Sequence, residues 1–163
     1  MDAITLLKDR LTFARKWTND LIADIDESLW FTPPGQNLGH VAWQLGHIAA
    51  SQIVLVHMRC FGRQFGDCAP ADYMGTFARG STPVPDPSKY PPIPVIRDFF
   101  NRTQSDVMDK LSTLTSADLD QSTEPHPMFT NRGGAIGMVA VHEAFHAGQI
   151  AMIRRLMGKQ FLR

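Results

Sequence analysis

Four segments of the chain space their apolar residues as an α-helix does, and this periodicity constrains the fold more than any other feature. Apolar residues recur at such intervals within residues 2–25, 37–60, 95–114 and 133–157. A stripe of this kind is typical of a helix with one buried face. The second segment is apolar on more than one side, so we expect it to be buried on several faces, with Asn37 as its N-cap.

The connections between these segments differ in length and composition. Residues 61–94 hold seven of the 11 prolines and show little periodicity. A connection this long is usually functional or partly disordered, and here we expect it to cover one end of the fold. A short helical turn is expected at 116–120, capped by Thr115 or Ser116, and residues 121–132 are expected to form a second loop. With no convincing strand, the sequence predicts one all-α domain over residues 1–163. We expect a four-helix bundle with a long proline-rich connection between helices 2 and 3.

Charge and hydropathy exclude several classes of partner. Lys and Arg number 16 against 16 Asp and Glu, which gives a net charge of zero and none of the basic excess of a nucleic-acid binder. No apolar run approaches the ~20 residues that a membrane span needs, and charges interrupt the N-terminal apolar residues. We therefore expect a cytoplasmic protein with no membrane partner, in which Cys60 and Cys68 are reduced thiols.

The most specific local pattern is His142-Glu143-Ala144-Phe145-His146 on the predicted fourth helix. Residues four apart lie on one helix face, so two imidazoles so placed can bind one metal ion. This is the HExxH pattern of zinc metalloproteases, but no third His, Asp or Glu follows it. A third ligand must come from upstream, where His40, His47 and His57 are candidates. Small neighbours favour His47. On this local pattern alone, metal binding and ordinary packed histidines are equally supported.

Other polar residues near these histidines have two interpretations each. Glu143 is either a general base acting on bound water or an ion-paired or solvated side chain. Gln149 either hydrogen-bonds beside the metal ligands or packs between helices. His40 either lines the entrance of the site or caps a helix. His126, between two prolines, either closes over the metal or is solvated.

Three segments taken together resemble the DinB-like superfamily: Trp43-Gln44-Leu45-Gly46-His47-Ile48-Ala49, His142 to Ile150, and Arg154-Arg155-Leu156-Met157-Gly158. The resemblance covers essentially the whole chain in element order. It implies the DinB/YfiT-like metalloenzyme fold, a four-helix bundle with a metal site of three histidines. These ligands map to His47, His142 and His146. Members of the superfamily include thiol-dependent S-transferases and mycothiol-dependent isomerases.

The resemblance also implies a function. Three protein ligands leave at least one coordination position open to water or substrate, which is the catalytic pattern. The expectation is one divalent metal ion, zinc or nickel, serving a transferase of a low-molecular-weight thiol or a hydrolase that acts on a small molecule. The alternative is a non-enzymatic stress protein that binds a metal or small ligand, since the sequence offers no clear nucleophile besides the metal. A purely structural role for the histidines is a third interpretation. A homodimer is also possible, because helical bundles often associate through the outer faces of their helices.

Overall fold

A computed structural model describes residues 1–162 as a bundle of long helices. The elements, in chain order, are α1 (Ala3–Ile22), α2 (Val41–Gln52), α3 (Asp72–Phe77), α4 (Ile93–Ser112), α5 (Ser116–Leu119), β1 (Ser122–His126), β2 (Phe129–Asn131) and α6 (Arg132–Leu156). Helix α2 continues without interruption into a π-helical segment, Ile53–Met58, and one further α-helical turn, Arg59–Phe61. Short 3-10 turns occupy Glu27–Leu29, Phe65–Asp67 and Pro87–Lys89. The prediction of an all-α fold is confirmed.

Helix α2 begins four residues later than the sequence predicted. The imidazole of His40 caps it, because His40 Nδ1 accepts a hydrogen bond from the backbone N–H of Trp43 at 3.1 Å. Asn37, the predicted cap, instead has a left-handed backbone with φ of 59°. Asparagine tolerates this conformation in turns, so Asn37 belongs to the turn that follows Pro33-Pro34-Gly35.

The segment 121–132 is not a simple loop. Strand β1 pairs antiparallel with β2, and His126 lies opposite Phe129 across the turn. The pair is anchored by Phe129, whose ring is 7% exposed and stacks on the His126 ring. Strands this short are not stable alone and depend on packing against a helix, which is why their sequence carries no clear strand pattern.

The termini of the later helices follow local sequence signals. Thr115 caps α5 in a reciprocal capping box with Asp118. Gly158 has a φ of 77°, the left-handed conformation that ends many helices after their last turn. In the last turn of α6, Arg154 forms an ion pair with Asp24 at 2.6 Å. The cap by Thr115 agrees with the sequence analysis, and the other two features follow general preferences at the C-terminal ends of helices.

Helices α1 and α6 run parallel and close together. Arg15 contacts Glu143, and nine residues further along α1 and just past its end, Asp24 contacts Arg154. Helix α2 lies against both α4 and α6, so almost all its residues are buried, as predicted. Within residues 1–162, no helix combines the length and apolarity that a membrane crossing requires.

Candidate metal centre

Helices α2 and α6 bring three imidazoles together near the middle of the bundle. His47 lies on α2, and His142 and His146 lie one turn apart on α6. One ring nitrogen from each residue lies within 4.8 Å of the other two. His47 and His146 are each 7% exposed, whereas His142 is half-buried and forms the accessible side of the cluster. The three residues that the family resemblance implied as ligands therefore share one site.

Hydrogen bonds on the far side of two rings fix the tautomer of each. His47 Nδ1 lies 2.6 Å from the backbone carbonyl oxygen of Phe77. His146 Nδ1 contacts the side-chain oxygen of Gln44. Because both partners are acceptors, Nδ1 must carry the proton, which leaves Nε2 of each ring with a free lone pair. A partner of this kind on the second nitrogen is the usual arrangement for histidines that bind metals.

The spacing of the Nε2 atoms fits a shared ion. His142 Nε2 and His146 Nε2 are 3.2 Å apart. Two nitrogens bound tetrahedrally to zinc at about 2.0–2.1 Å would lie about 3.3–3.4 Å from each other. The same separation allows one neutral ring to donate a hydrogen bond to the other. The donor set of three neutral imidazoles suits zinc, nickel, copper or iron, so the residues present fit a divalent transition metal.

Burial favours the neutral form of all three histidines, which is the metal-binding form. Burial, together with the neighbouring His142 and His47, lowers the pKa of His146 to about 3. Burial, together with His47, lowers the pKa of His142 to about 4. Burial also lowers the pKa of His47, partly offset by the hydrogen bond to Phe77. Protons therefore compete for the nitrogens of His142 and His146 only well below neutral pH.

Gln44 is the residue at this site that sequence reasoning missed. Its side-chain oxygen accepts the Nδ1 proton of His146, and its Nε2 donates to Gln149 Oε1 at 2.7 Å. Gln149 thus orients Gln44, which orients the ligand, and Gln149 has no direct hydrogen bond to an imidazole. One feature of the sequence could have identified Gln44: it is a polar residue three positions before His47, on a helix that is apolar on several sides. Such a residue needs a buried partner.

The proline-rich connection packs against the back of His47. The Phe77 ring fills the space beside Gly46, where an added Cβ would lie 2.2 Å from the ring. The indole of Trp43 stacks on His47 at 4.5 Å between ring centroids and donates its Nε1–H to Ser81 Oγ at 3.0 Å. The connection therefore supplies a carbonyl to one ligand and holds the indole that lies against it.

Glu143 lies in the core, away from the three imidazoles. It is completely buried, and its carboxylate accepts hydrogen bonds from Arg15 Nε at 2.8 Å and from Gln52 Nε2 at 3.3 Å. Arg15 also lies over the Phe100 ring, with its guanidinium carbon 3.4 Å from the centroid. The structure therefore favours the ion-paired interpretation of Glu143. It gives the carboxylate no contact with the site at which a general base would act.

The remaining histidines lie outside the cluster. His40 caps α2, and its Nε2 donates to the carbonyl of Val84 at 3.1 Å. His57 is buried in the π-helical segment, 5% exposed. His126 closes the β1–β2 turn by accepting the N–H of Met128 at 3.2 Å. Of the upstream candidates, the structure brings only His47 to the pair on α6.

The fold and site together define a helical-bundle protein with an all-histidine candidate metal centre. The family model of the DinB superfamily matches residues 10–150, a span that includes all three histidines. The chain belongs to the DinB superfamily. No curated protein matches it.

Proposed function

We propose that this protein binds one divalent metal ion, zinc or nickel, through His47, His142 and His146 and uses it to transfer a low-molecular-weight thiol or to hydrolyse a small molecule. The observation that carries the proposal is the convergence of three imidazoles, two of which, His47 and His146, have their outer nitrogens already hydrogen-bonded. A bound ion with an open coordination position supplies Lewis acidity, which favours ionisation of a thiol or a water molecule.

The chain's own residues prepare the site for this chemistry. Phe77 and Gln44 hold two imidazoles in one tautomer, so little rearrangement accompanies binding. Trp43 covers one face of His47 and limits water on that side. His142 is the least buried ligand, which leaves the approach for a small substrate on its side. An aryl chloride is a convenient test substrate for thiol transfer. In that reaction a C–S bond forms and the C–Cl bond breaks, chloride leaves, and the thiol proton passes to solvent.

A non-enzymatic metal-binding role is the second candidate, favoured by one observation. The carboxylate of Glu143, the general base that the sequence suggested, is bound to Arg15 in the core and does not serve the site as an acid–base group. Metal chemistry alone must then provide the catalytic power, and a protein that only stores or senses the ion has the same residues.

Two measurements test the proposal in sequence. The metal content of protein purified without an affinity tag is measured by plasma mass spectrometry, for wild type and His47→Ala. We expect near one equivalent in the wild type and loss of stoichiometric binding in the variant with helical content retained. Full retention of metal by His47→Ala would contradict the ligand assignment.

Turnover is then measured with 1-chloro-2,4-dinitrobenzene and either cysteine, glutathione or mycothiol, and with nitrophenyl esters for hydrolysis. The chelator-treated protein and His47→Ala serve as controls, and His126→Ala, outside the cluster, is the matched histidine variant. Metal-dependent turnover that is lost with His47→Ala and kept with His126→Ala supports the enzyme. Stoichiometric metal with no turnover supports the non-enzymatic role.

A further inference from the structure

The outward face of α6 is apolar to a degree unusual for a protein surface. Its large exposed side chains are Val141 at 49%, Phe145 at 66%, Met152 at 58% and Leu156 at 66%. Between residues 133 and 153 the only charged side chain is Glu143, which is completely buried. A surface helix of a monomer normally shows charged and polar residues on its outer face. The outward face of α6 therefore lacks the charged side chains that contact with solvent would favour.

The spacing along this face is self-complementary. The four large side chains follow at intervals of four, seven and four residues, with Gly148 near the centre. Two copies of α6 placed antiparallel about a two-fold axis between 148 and 149 bring Phe145 level with Met152 of the other copy, and Val141 level with Leu156. A Cβ added at Gly148 would meet nothing within 4 Å in its own chain, so this point is open to a close approach. Contacts in which the same patch meets itself characterise two-fold dimers.

Helix α1 extends the apolar face on one flank. Phe13 and Trp17 are 57% and 45% exposed and pack edge-to-face at 5.6 Å between centroids. Because α1 runs parallel to α6, with Arg15 level with Glu143, this aromatic pair lies beside the Val141–Phe145 end of the α6 stripe. The C-terminal segment continues the surface: Phe161 lines a groove with Gly148 and Met152, and Leu162 lines a groove with Trp17.

The exposed area is sufficient for a stable pair. An aromatic side chain presents about 150–250 Å² when fully exposed, and the exposed parts of these side chains together offer apolar area on the order of 1,000 Å² per copy. A standard protein interface buries about 800 Å² per partner. We propose that the α6–α1 face binds a second copy of this chain, with the two α6 helices antiparallel across a two-fold axis near Gly148.

A matched pair of substitutions tests the interface. Mass is measured by light scattering on purified protein at tens of micromolar, for wild type, Met152→Asp and Met128→Asp. Met128 is 69% exposed on the β-turn, so both variants place a carboxylate on an exposed methionine. We expect twice the chain mass of 18.2 kDa for wild type and Met128→Asp, and monomer for Met152→Asp. Wild-type monomer overturns the proposal, as does a Met152→Asp dimer as stable as wild type.

Cysteine cross-linking tests the antiparallel arrangement, in a Cys68→Ser background because Cys68 is the more accessible native thiol. A mixture of Phe145→Cys and Met152→Cys chains should form an intermolecular disulfide. Each variant alone should not, because identical positions would be about 10 Å apart along the axis at 1.5 Å per residue, beyond the ~7 Å limit for Cα atoms. Efficient links between identical positions, or none in the mixture while a dimer is present, overturn the arrangement.

Discussion

At the scale of single residues, the candidate metal centre depends on groups outside the three-histidine cluster. Gln44 accepts the Nδ1 proton of His146, and the Phe77 carbonyl accepts that of His47. In neutral imidazole one nitrogen donates and the other accepts, so each contact determines which nitrogen is free. The nitrogens that His47 and His146 offer to a metal ion are therefore set by their hydrogen-bond partners as much as by their own positions.

Replacing Gln44 should weaken metal binding without removing any ligand. In Gln44→Ala, His146 loses the acceptor that fixes its tautomer and ring orientation, and losses of this kind typically lower metal affinity about 10–100-fold. Affinity is measured by competition with a chromophoric zinc chelator. Gln36→Ala, at an exposed turn residue, is the control. Equal affinities in the two variants would show that Gln44 does not orient the site.

At the scale of elements, a buried ion pair joins α1 to α6. Arg15 and Glu143 are both buried, and Arg15 also donates to the backbone carbonyl of Phe100 on α4. Breaking such a pair leaves an unpaired charge in the core, whereas replacing both partners by apolar groups removes the cost. The pair therefore fixes how α1 and α6 meet, one residue away from the candidate ligand His142.

Loss of one partner should destabilise the fold more than loss of both. We expect Glu143→Leu to lower the free energy of unfolding by about 3–5 kcal/mol, because the Arg15 guanidinium stays buried without its counter-ion. Adding Arg15→Met should restore much of that loss. Urea denaturation of both single variants and the double variant gives the coupling energy. Additive effects of the two substitutions would show that the pair is not energetically coupled.

Packing of the connection on α2 is the second feature at the scale of elements. A methyl group at position 46 would lie 2.2 Å from the Phe77 ring, so Gly46→Ala must displace α3. We expect a net loss of about 1–3 kcal/mol from overpacking, which exceeds the ~0.5–1 kcal/mol that alanine gains over glycine in a helix. Metal affinity should fall as well, because the carbonyl of Phe77 moves with its ring.

The matched control for this prediction is Gly75→Ala within α3, where an added Cβ meets nothing within 4 Å. This variant should be at least as stable as wild type, with metal binding unchanged. Both are compared by urea denaturation and chelator competition. A Gly46→Ala protein that matches Gly75→Ala in both measurements would contradict the role assigned to Phe77.

At the scale of the whole molecule, buried neutral histidines make stability depend on pH. Burial lowers the pKa of His40 to about 4, and those of His142 and His146 to about 4 and about 3. In the unfolded chain these groups titrate near 6.5. Below that value the unfolded chain binds protons that the folded chain does not, so the free energy of unfolding falls as pH decreases.

We therefore expect metal-free protein to be stable and nearly pH-independent just above pH 6.5, and to lose stability progressively from pH 6.5 towards about pH 4. Each fully buried histidine contributes a slope of up to about 1.4 kcal/mol per pH unit. Urea denaturation at several pH values in the presence of a chelator measures the slope. His40→Asn, which preserves a capping side chain, should reduce it. A flat profile through this window would contradict the predicted burial of neutral imidazoles.

The sequence by itself determined the helical class, the family and the three candidate ligands. Helical periodicity is a local property, and so is the spacing that places His142 and His146 on one face. The cap by Thr115 could also be predicted, because a cap depends on residues within one helical turn. The third candidate ligand, His47, was identified by the resemblance to a family, because spacing along the chain alone left His40 and His57 as alternatives.

Only the tertiary structure decided the features that join residues distant in the chain. The pairing of Gln44 with His146 spans 102 positions, and that of Arg15 with Glu143 spans 128. The β1–β2 hairpin likewise depends on packing against helices. The sequence pattern predicts which face of a helix is apolar. Which polar groups come into contact depends on how each helix is rotated about its axis relative to its neighbours, and this rotation is set by packing. That rotation placed Glu143 in an ion pair in the core and His142 at the accessible side of the candidate metal centre.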